Sequence, residues 1–250
     1  MRRGLVLSGG AGRGFAHAGV LHALEEHGYQ FDCIAGVSIG AVVGALYADG
    51  YSALEIFEIF RDEPLSRFLK IKLSSAGLFR SDGLRMLLQK HLRATTFEEL
   101  QTPLKITATN YNTGQLKVFD SGPLLEPIMA SSAIPLLFHA VQIGDQHYID
   151  GGILSNLPAH IIRKECEHLT AININPIGPV TAPSGLFEIM FRTLQLSVHA
   201  NIHQEMKNID WLIEPQGMSH FSMFELSKGR EMYDLGYQYT ETLIKAEIKS

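Results

Sequence analysis

Apolar residues along the chain fall into short solid runs and longer spaced runs, and their alternation predicts the architecture of the first fifty positions. Leu5-Val6-Leu7-Ser8 is a short apolar run that stops at Gly9-Gly10-Ala11-Gly12-Arg13-Gly14. From Phe15 to His27, Ala18, Leu21, Ala23 and Leu24 recur at helical spacing, and Gly28 stands where a helix C-cap belongs. Phe31 to Ala35 predicts the next strand. It runs at once into Gly36-Val37-Ser38-Ile39-Gly40 and a helix from Ala41 to Asp49 ended by Gly50. Two strand-to-helix units in succession predict an α/β fold with a parallel sheet covered by helices.

Further along, Ser52-Ala53-Leu54-Glu55 has the capping-box pattern and predicts a helix to about Arg61, while Thr96 with Glu99 marks a short one. Ser81-Asp82-Gly83 precedes a helix near Leu84 to Leu92. Leu104 to Thr109 and Gln115 to Phe119 predict a hairpin around Asn112-Thr113-Gly114, and Pro123 to Ser131 reads as helical. A second hairpin joins Val141 to Ile143 with His147 to Ile149 through Gly144-Asp145-Gln146, and its exit is Asp150-Gly151-Gly152. Pro158 to Lys164 predicts a helix and Leu169 to Ile174 a buried strand. After the loop marked by Pro176, Pro179 and Pro183, the chain from Gly185 onward reads as mainly helical. No repeat, low-complexity tract or charge block divides it, so residues 1–250 are expected to form a single domain.

Composition agrees with that size: 250 residues, 46% hydrophobic, can bury a full core. Net charge is −5, and no run of Lys or Arg exceeds Arg2-Arg3, which argues against a nucleic-acid partner. Cys33 and Cys166 cannot form a disulfide framework or a metal motif and read as buried thiols of a reducing compartment. Leu5-Val6-Leu7 falls short of a signal peptide's apolar region, so a cytoplasmic protein is expected. Ile34 to Ala48 carries Ser38 and three glycines and is shorter than the roughly 20 residues a membrane span needs, so no transmembrane segment is expected.

Candidate chemistry centres on Ser38. A serine hydroxyl is a weak nucleophile unless it is exposed at a sharp turn and given a base, and Gly-x-Ser-x-Gly between strand and helix supplies the turn. The same composition also suits a merely structural turn. Ordinary α/β-hydrolases place this serine after several strands, whereas only one strand and one helix precede it here. The glycine loop at residues 9 to 14 opens a helix and presents backbone N–H groups to an anion, which suits an oxyanion. As a nucleotide loop it fails: Gly-x-Gly-x-x-Gly meets Ala11 or Phe15 at a required glycine, and the Walker A Gly-Lys-Ser/Thr is missing. Asp150, at the end of an apolar run and followed by two glycines, reads either as a base or as a turn-forming aspartate.

Together these blocks resemble the patatin-like phospholipase family. Leu5 to Leu21 matches its glycine-rich start, with Arg13-Gly14, Ala16-His17 and Gly19-Val20-Leu21. Gly36 to Gly40 is its serine block, and Tyr148-Ile149-Asp150-Gly151-Gly152 running into Asn156 and Pro158 its aspartate block. Ala130-Ser131-Ser132-Ala133-Ile134-Pro135 also looks like the family, and the likeness covers residues 5 to about 175. The resemblance implies a three-layer α/β fold, mostly parallel sheet flanked by helices, that hydrolyses lipid acyl esters without a cofactor. Ser38 would attack the ester carbonyl and Asp150 take its proton, with no histidine. The amides of Gly10 and Ala11, extending through Gly12 to Arg13, would form the oxyanion hole. One departure is Ala11, where the family carries its third glycine. Alanine keeps the N–H donor, but its Cβ disfavours positive φ. The same serine also serves a carboxylesterase or an acyltransferase, and a catalytically silent binding module would keep the fold.

Other residues carry weaker signals. His199 and His203 lie four apart but lack the glutamate of a zinc helix and read as a solvated or capping pair. His17 reads as orienting the loop, and Arg13 as holding either a substrate phosphate or the loop itself. Leu186, Phe187, Ile189, Met190, Phe191, Leu194, Leu196, Val198 and Ile202 could line an acyl channel, contact a membrane surface transiently, or face the core. Phe57, Phe60, Phe68, Leu69 and Phe79, flanked by Arg67, Lys70 and Lys72, raise the same alternatives and suggest an interfacial lid.

Overall fold

The computed structural model describes residues 1–63, 71–74, 77–79, 82–179, 182 and 185–247, without the side chains of 71–74, 77–79, 187 and 247. The expected lid residues Arg67, Phe68, Leu69 and Lys70, and the side chains of Lys72 and Phe79, therefore lie outside the described residues, as do Ser81 and Pro183. In chain order the elements are β1 (Arg3–Leu7), α1 (Gly14–Glu26), β2 (Cys33–Val37), α2 (Ile39–Ala48), α3 (Ala53–Asp62), β3 (Ile71–Ser74), β4 (Gly77–Phe79) and α4 (Asp82–His91). There follow β5 (Leu104–Asn110), β6 (Leu116–Phe119), α5 (Leu125–Ser131), β7 (Val141–Ile143), β8 (Gln146–Asp150), β9 (His168–Ile172), α6 (Leu186–Glu205), β10 (Trp211–Ile213) and α7 (Gly229–Glu247).

An eight-stranded sheet runs β10-β9-β1-β2-β5-β8-β7, with β6 also on β5. The pairs β10–β9, β9–β1, β1–β2 and β2–β5 are parallel, while β6, β7 and β8 pair antiparallel. Side chains of the parallel strands alternate between two apolar layers, as the twofold period of a strand requires. Leu5, Leu7 and Ile34 enter one core with Phe15, Leu21 and Val42 from α1 and α2. Val6, Ala35 and Ala171 point the other way, against Leu157, Ile162 and Ile202. A sheet buried on both faces is the three-layer α/β arrangement.

The early elements match their patterns closely. Gly28 takes φ +73 just after α1, and α3 has its capping box, with Ser52 Oγ accepting from the Glu55 amide and Glu55 accepting from the Ser52 amide. Thr96 and Glu99 close a single 3₁₀ turn at Phe97–Glu99. Two features differ. The helix expected over Pro158 to Lys164 is instead two 3₁₀ turns, Ala159–Ile161 and Arg163–Glu165. Glu205 on α6 accepts the His160 amide at 2.9 Å, and Pro158 has ψ near 59°, so an α-helical ladder does not form. The last third also holds β10, a three-residue strand that pairs Trp211 with Thr170 on β9. Among the described residues, no helix is long and apolar enough to cross a membrane.

Candidate active site

Ser38 follows the last residue of β2 and precedes α2, with φ 55° and ψ −126°. A non-glycine residue there carries roughly 1–3 kcal/mol of backbone strain, so its surroundings must hold it. The Ser38 amide donates to Ser131 Oγ at 2.8 Å, and that hydroxyl donates to the Thr107 carbonyl at 2.7 Å. On the other side, the Ser38 carbonyl accepts from the amides of Ala41 and Val42, which start α2. The motif glycines are needed for close approach: a Cβ on Gly40 would meet the Leu7 carbonyl oxygen, and one on Gly36 would lie 2.5 Å from the Gly40 carbonyl oxygen.

Asp150 reaches the serine because of how β5 is shared. On β5, Thr107 pairs with Val37 of β2 and with Val118 of β6, while Ala108 pairs with Asp150 of β8 and Lys117 of β6. Since β6 takes one edge, β2 and β8 occupy the same opposite edge. They run in opposing directions, so their C-terminal ends meet. Ser38 Oγ donates to Asp150 Oδ2 at 2.6 Å, and Asp150 Oδ1 accepts the Gly152 amide at 2.8 Å. The turn-forming role and the contact with serine therefore coexist in one carboxylate. Burial pushes Asp150 up to about 6, against the lowering effect of the Ser38 hydroxyl and the Gly152 amide.

The glycine loop lies beside this pair. The Gly9 amide donates to the Asn156 carbonyl, Gly12 to the Met223 carbonyl at 2.7 Å and Arg13 to the Gly10 carbonyl at 3.1 Å. Among the described hydrogen bonds only Gly10 and Ala11 of the loop's expected donors keep amides without an acceptor. The four-donor expectation is thus narrowed, because the Gly12 and Arg13 amides are engaged within the fold. Ala11 does take positive φ, +49°, and its residue lines the pocket over Ser38. His17 is fully buried with Nε2 2.9 Å from the Ser8 carbonyl, so Nε2 carries the proton, and burial lowers its pKa to about 4. It braces the loop. Arg13 clamps the loop to the C-terminal third through the Phe221 and Pro176 carbonyls and Asn175 Oδ1.

Over the site lies α6. Phe191, Leu194 and Val198 close an apolar-walled cavity of about 40 Å³ that also touches Ala11, Ser38 and Asp150. The next residues on that helical face are polar. Asn201 Nδ2 donates to the Gly152 and Ile153 carbonyls, and its Oδ1 accepts the Asn156 amide. Glu205 accepts from His160 at both its amide and Nδ1. The apolar residues of α6 thus divide: Leu186, Ile189, Met190 and Leu196 are exposed, whereas Ile202 is buried. Asn201 carries no motif in the sequence, and Ser131 enters only as part of the block Ala130 to Pro135, with no role assigned to it. The detectable signal was the stripe Phe191, Leu194, Val198, Asn201, Glu205, a helical face that turns from apolar to polar. Asn156 Nδ2 is buried at the cavity wall with no partner among the described residues.

The remaining candidates sit elsewhere. His199 and His203 pack edge to face with centroids 5.3 Å apart, and among the described residues no group of three or more His, Cys, Asp or Glu could hold a metal. Cys33 and Cys166 are buried free thiols.

Comparison with known proteins gives the same picture over most of the chain. The family model described as patatin-like phospholipase matches residues 5–163. An uncharacterized NTE family protein of Mycobacterium tuberculosis is 34% identical over 179 residues, covering 70% of this chain and 49% of that protein. Lysophospholipase NTE1 of Debaryomyces hansenii is 25% identical over 96% of this chain and 18% of its own length. The chain therefore spans about half the length, or less, of these curated relatives. In fold it resembles VipD from Legionella pneumophila, with TM-score 0.58 at 16% identity over 98% of this chain and 67% of that one. With its family match extending from β1 past Asp150, the chain belongs to the patatin-like phospholipase family.

Proposed function

We propose that this chain hydrolyses acyl ester bonds of lipids through an acyl-enzyme on Ser38, with Asp150 as the only base. The observation that carries this reading is the 2.6 Å hydrogen bond from Ser38 Oγ to Asp150 Oδ2, buried beneath the apolar residues Phe191, Leu194 and Val198 of α6. Ser38 Oγ attacks the ester carbonyl carbon while its proton passes to Asp150. The amides of Gly10 and Ala11 stabilise the tetrahedral oxyanion. Collapse breaks the acyl–oxygen bond, and protonated Asp150 returns the proton to the leaving alcohol. Water then repeats the sequence, with Asp150 as base, and releases the fatty acid.

Apolar residues on α6 support a lipid acyl chain as the group bound next to Ser38. The cavity of about 40 Å³ is smaller than an acyl chain, and an outward shift of α6 on substrate entry would enlarge it. Its outer face, with Leu186 73% exposed beside Ile189 and Met190, suits transient contact with a membrane surface. Flotation with phospholipid vesicles tests that contact: L186Q together with I189Q should reduce the bound fraction, and unchanged flotation would exclude it.

Hydrolysis itself is tested with a fluorophosphonate probe and a lipid labelled in its acyl chain. Ser38→Ala should abolish labelling and release of labelled fatty acid. Label transferred to an added acceptor lipid instead of water would make the chain an acyltransferase, and labelling that survives Ser38→Ala would overturn the nucleophile.

A further inference from the structure

A second cavity, of about 310 Å³, adjoins the one over Ser38 and shares Asn175, Phe191, Gln195 and Met223 with it. That volume falls in the range of small-molecule sites. Arg13, Arg192 and His220 line it, and no Asp or Glu does, in a chain with 26 acidic and 21 basic residues. Arg13 is 6% exposed and donates only to neutral acceptors: the Phe221 and Pro176 carbonyls and Asn175 Oδ1. Arg192 likewise donates to the Gly178 carbonyl at 2.9 Å, with Gln195 Oε1 at 3.5 Å. Neither enters an ion pair among the described residues, whereas the neighbouring Glu225 is already paired with Lys228.

Carbonyl dipoles satisfy guanidinium hydrogen bonds but leave its net charge uncompensated in a low-dielectric site. Burial accordingly pulls Arg13 down to about 10, a cost that an anion in the cavity would relieve. The planar fork of arginine suits phosphate oxygens better than any other side chain does. Arg13 has four of its five N–H donors engaged in these bonds and supplies charge. Arg192, held by one short bond and one long one, has donors to give.

We propose that this cavity receives the phosphate group of a glycerophospholipid or lysophospholipid substrate, with Arg192 making the direct contact while the ester lies at Ser38. The proposal rests on Ser38 being the nucleophile of lipid ester hydrolysis, and it makes headgroup phosphate the feature that selects substrate. Both Arg192 and His220 lie beyond residue 163, outside the part matched by the family model. A free phosphate ion has the same chemistry, so the test separates it from a lipid headgroup.

Protection of Ser38 from fluorophosphonate labelling reads binding without turnover. Two non-hydrolysable competitors are compared below their critical micelle concentrations: 1-O-hexadecylglycero-3-phosphocholine and 1-O-hexadecylglycerol. The phospholipid ether should protect at roughly tenfold lower concentration than the glycerol ether. Arg192→Gln should remove that preference, Arg192→Lys should restore part of it, and His220→Gln should reduce it. Excess inorganic phosphate should weaken protection by the phospholipid ether alone. Equal protection by both ethers in the unaltered chain would overturn the proposal, and that arm needs no variant to fold. Equal loss of both in Arg192→Gln would overturn it too, since Arg192 would then act through the position of α6. Protection by inorganic phosphate without any difference between the ethers would mark a free-ion site and exclude the headgroup. Turnover of labelled lipid reports the hydrolase reading separately: no turnover with the preference intact overturns hydrolysis alone, and turnover without the preference overturns the subsite alone.

Discussion

Ser38 and Asp150 are 112 residues apart in the chain, yet a single hydrogen bond of 2.6 Å joins their side chains. They meet because Val37 and Asp150 pair with consecutive residues of β5, Thr107 and Ala108, on one edge of that strand. One strand approaches from each direction, and each ends where the other ends. The carboxylate and the hydroxyl are thereby presented to each other by two strand termini within the sheet.

Burial holds Asp150 up at about 6, so the proposed base would set the lower limb of a pH profile. With Asp150 as the base, kcat/KM on a short soluble ester should be flat above about pH 7 and fall tenfold per pH unit below about 6. Asp150→Asn should lower kcat by roughly 10²- to 10⁴-fold and abolish that limb. A stopped assay across pH 4 to 9 measures both, and wild-type turnover in Asp150→Asn would remove the base assignment.

The same group predicts a stability change of opposite sign. The folded-state value of Asp150 is raised from 3.8, so the folded protein favours the protonated carboxyl. Its contribution is fully present below about pH 4 and is lost as pH rises through about 6. Asp150→Asn, which stays neutral, should therefore be more stable than the unaltered chain at pH 8, by at most about 3 kcal/mol. The difference should vanish near pH 4. Urea unfolding at the two pH values tests it.

Ala11 takes φ +49° in the glycine loop and lines the pocket over Ser38. Replacing it with glycine removes a Cβ penalty of roughly 1 kcal/mol, offset in part by glycine's greater freedom in the unfolded chain. Ala11→Gly should leave stability within about 1 kcal/mol of its present value. It should also widen the approach to Ser38, so that KM for a branched acyl ester falls more than KM for a linear one. Steady-state kinetics on the two esters decide the point.

Asn201 ties α6 to the segment after Asp150 through the Gly152 carbonyl, the Ile153 carbonyl and the Asn156 amide. Asn201→Ala leaves those backbone groups without their partner, at a cost of roughly 1–3 kcal/mol. Because the loop carrying Gly152 also donates to Asp150 Oδ1, loosening it should lower kcat more than it raises KM and should shift the acidic limb of the pH profile. A purely structural role would lower the melting temperature and leave that limb in place.

Local pattern accounts for much of this protein. The β1–α1–β2–α2 start, the capping box of α3 and the hairpin from β7 to β8 all follow from residues within a few positions of one another, because strand period, helix period and capping are short-range. Ser38 and Asp150 stood out by the same route, as a serine in a strand-to-helix turn and an acid at a strand exit, given meaning by their order along the chain. Other features depended on partners far away. Met223 engages the Gly12 amide, Glu205 turns the expected helix after Pro158 into two short turns, and β10 exists only because β9 offers it an edge.

By itself, then, the sequence determined most of the strands and helices and singled out Ser38 and Asp150 as candidates for nucleophile and base chemistry, since spacing, turn motif and residue type are local. The tertiary structure alone decided that β2 and β8 share one edge of β5, which loop amides stay free, and that Arg13 and Arg192 face one cavity without a carboxylate. Those outcomes are set by long-range competition for hydrogen-bond partners and burial, and no window of neighbouring residues contains it.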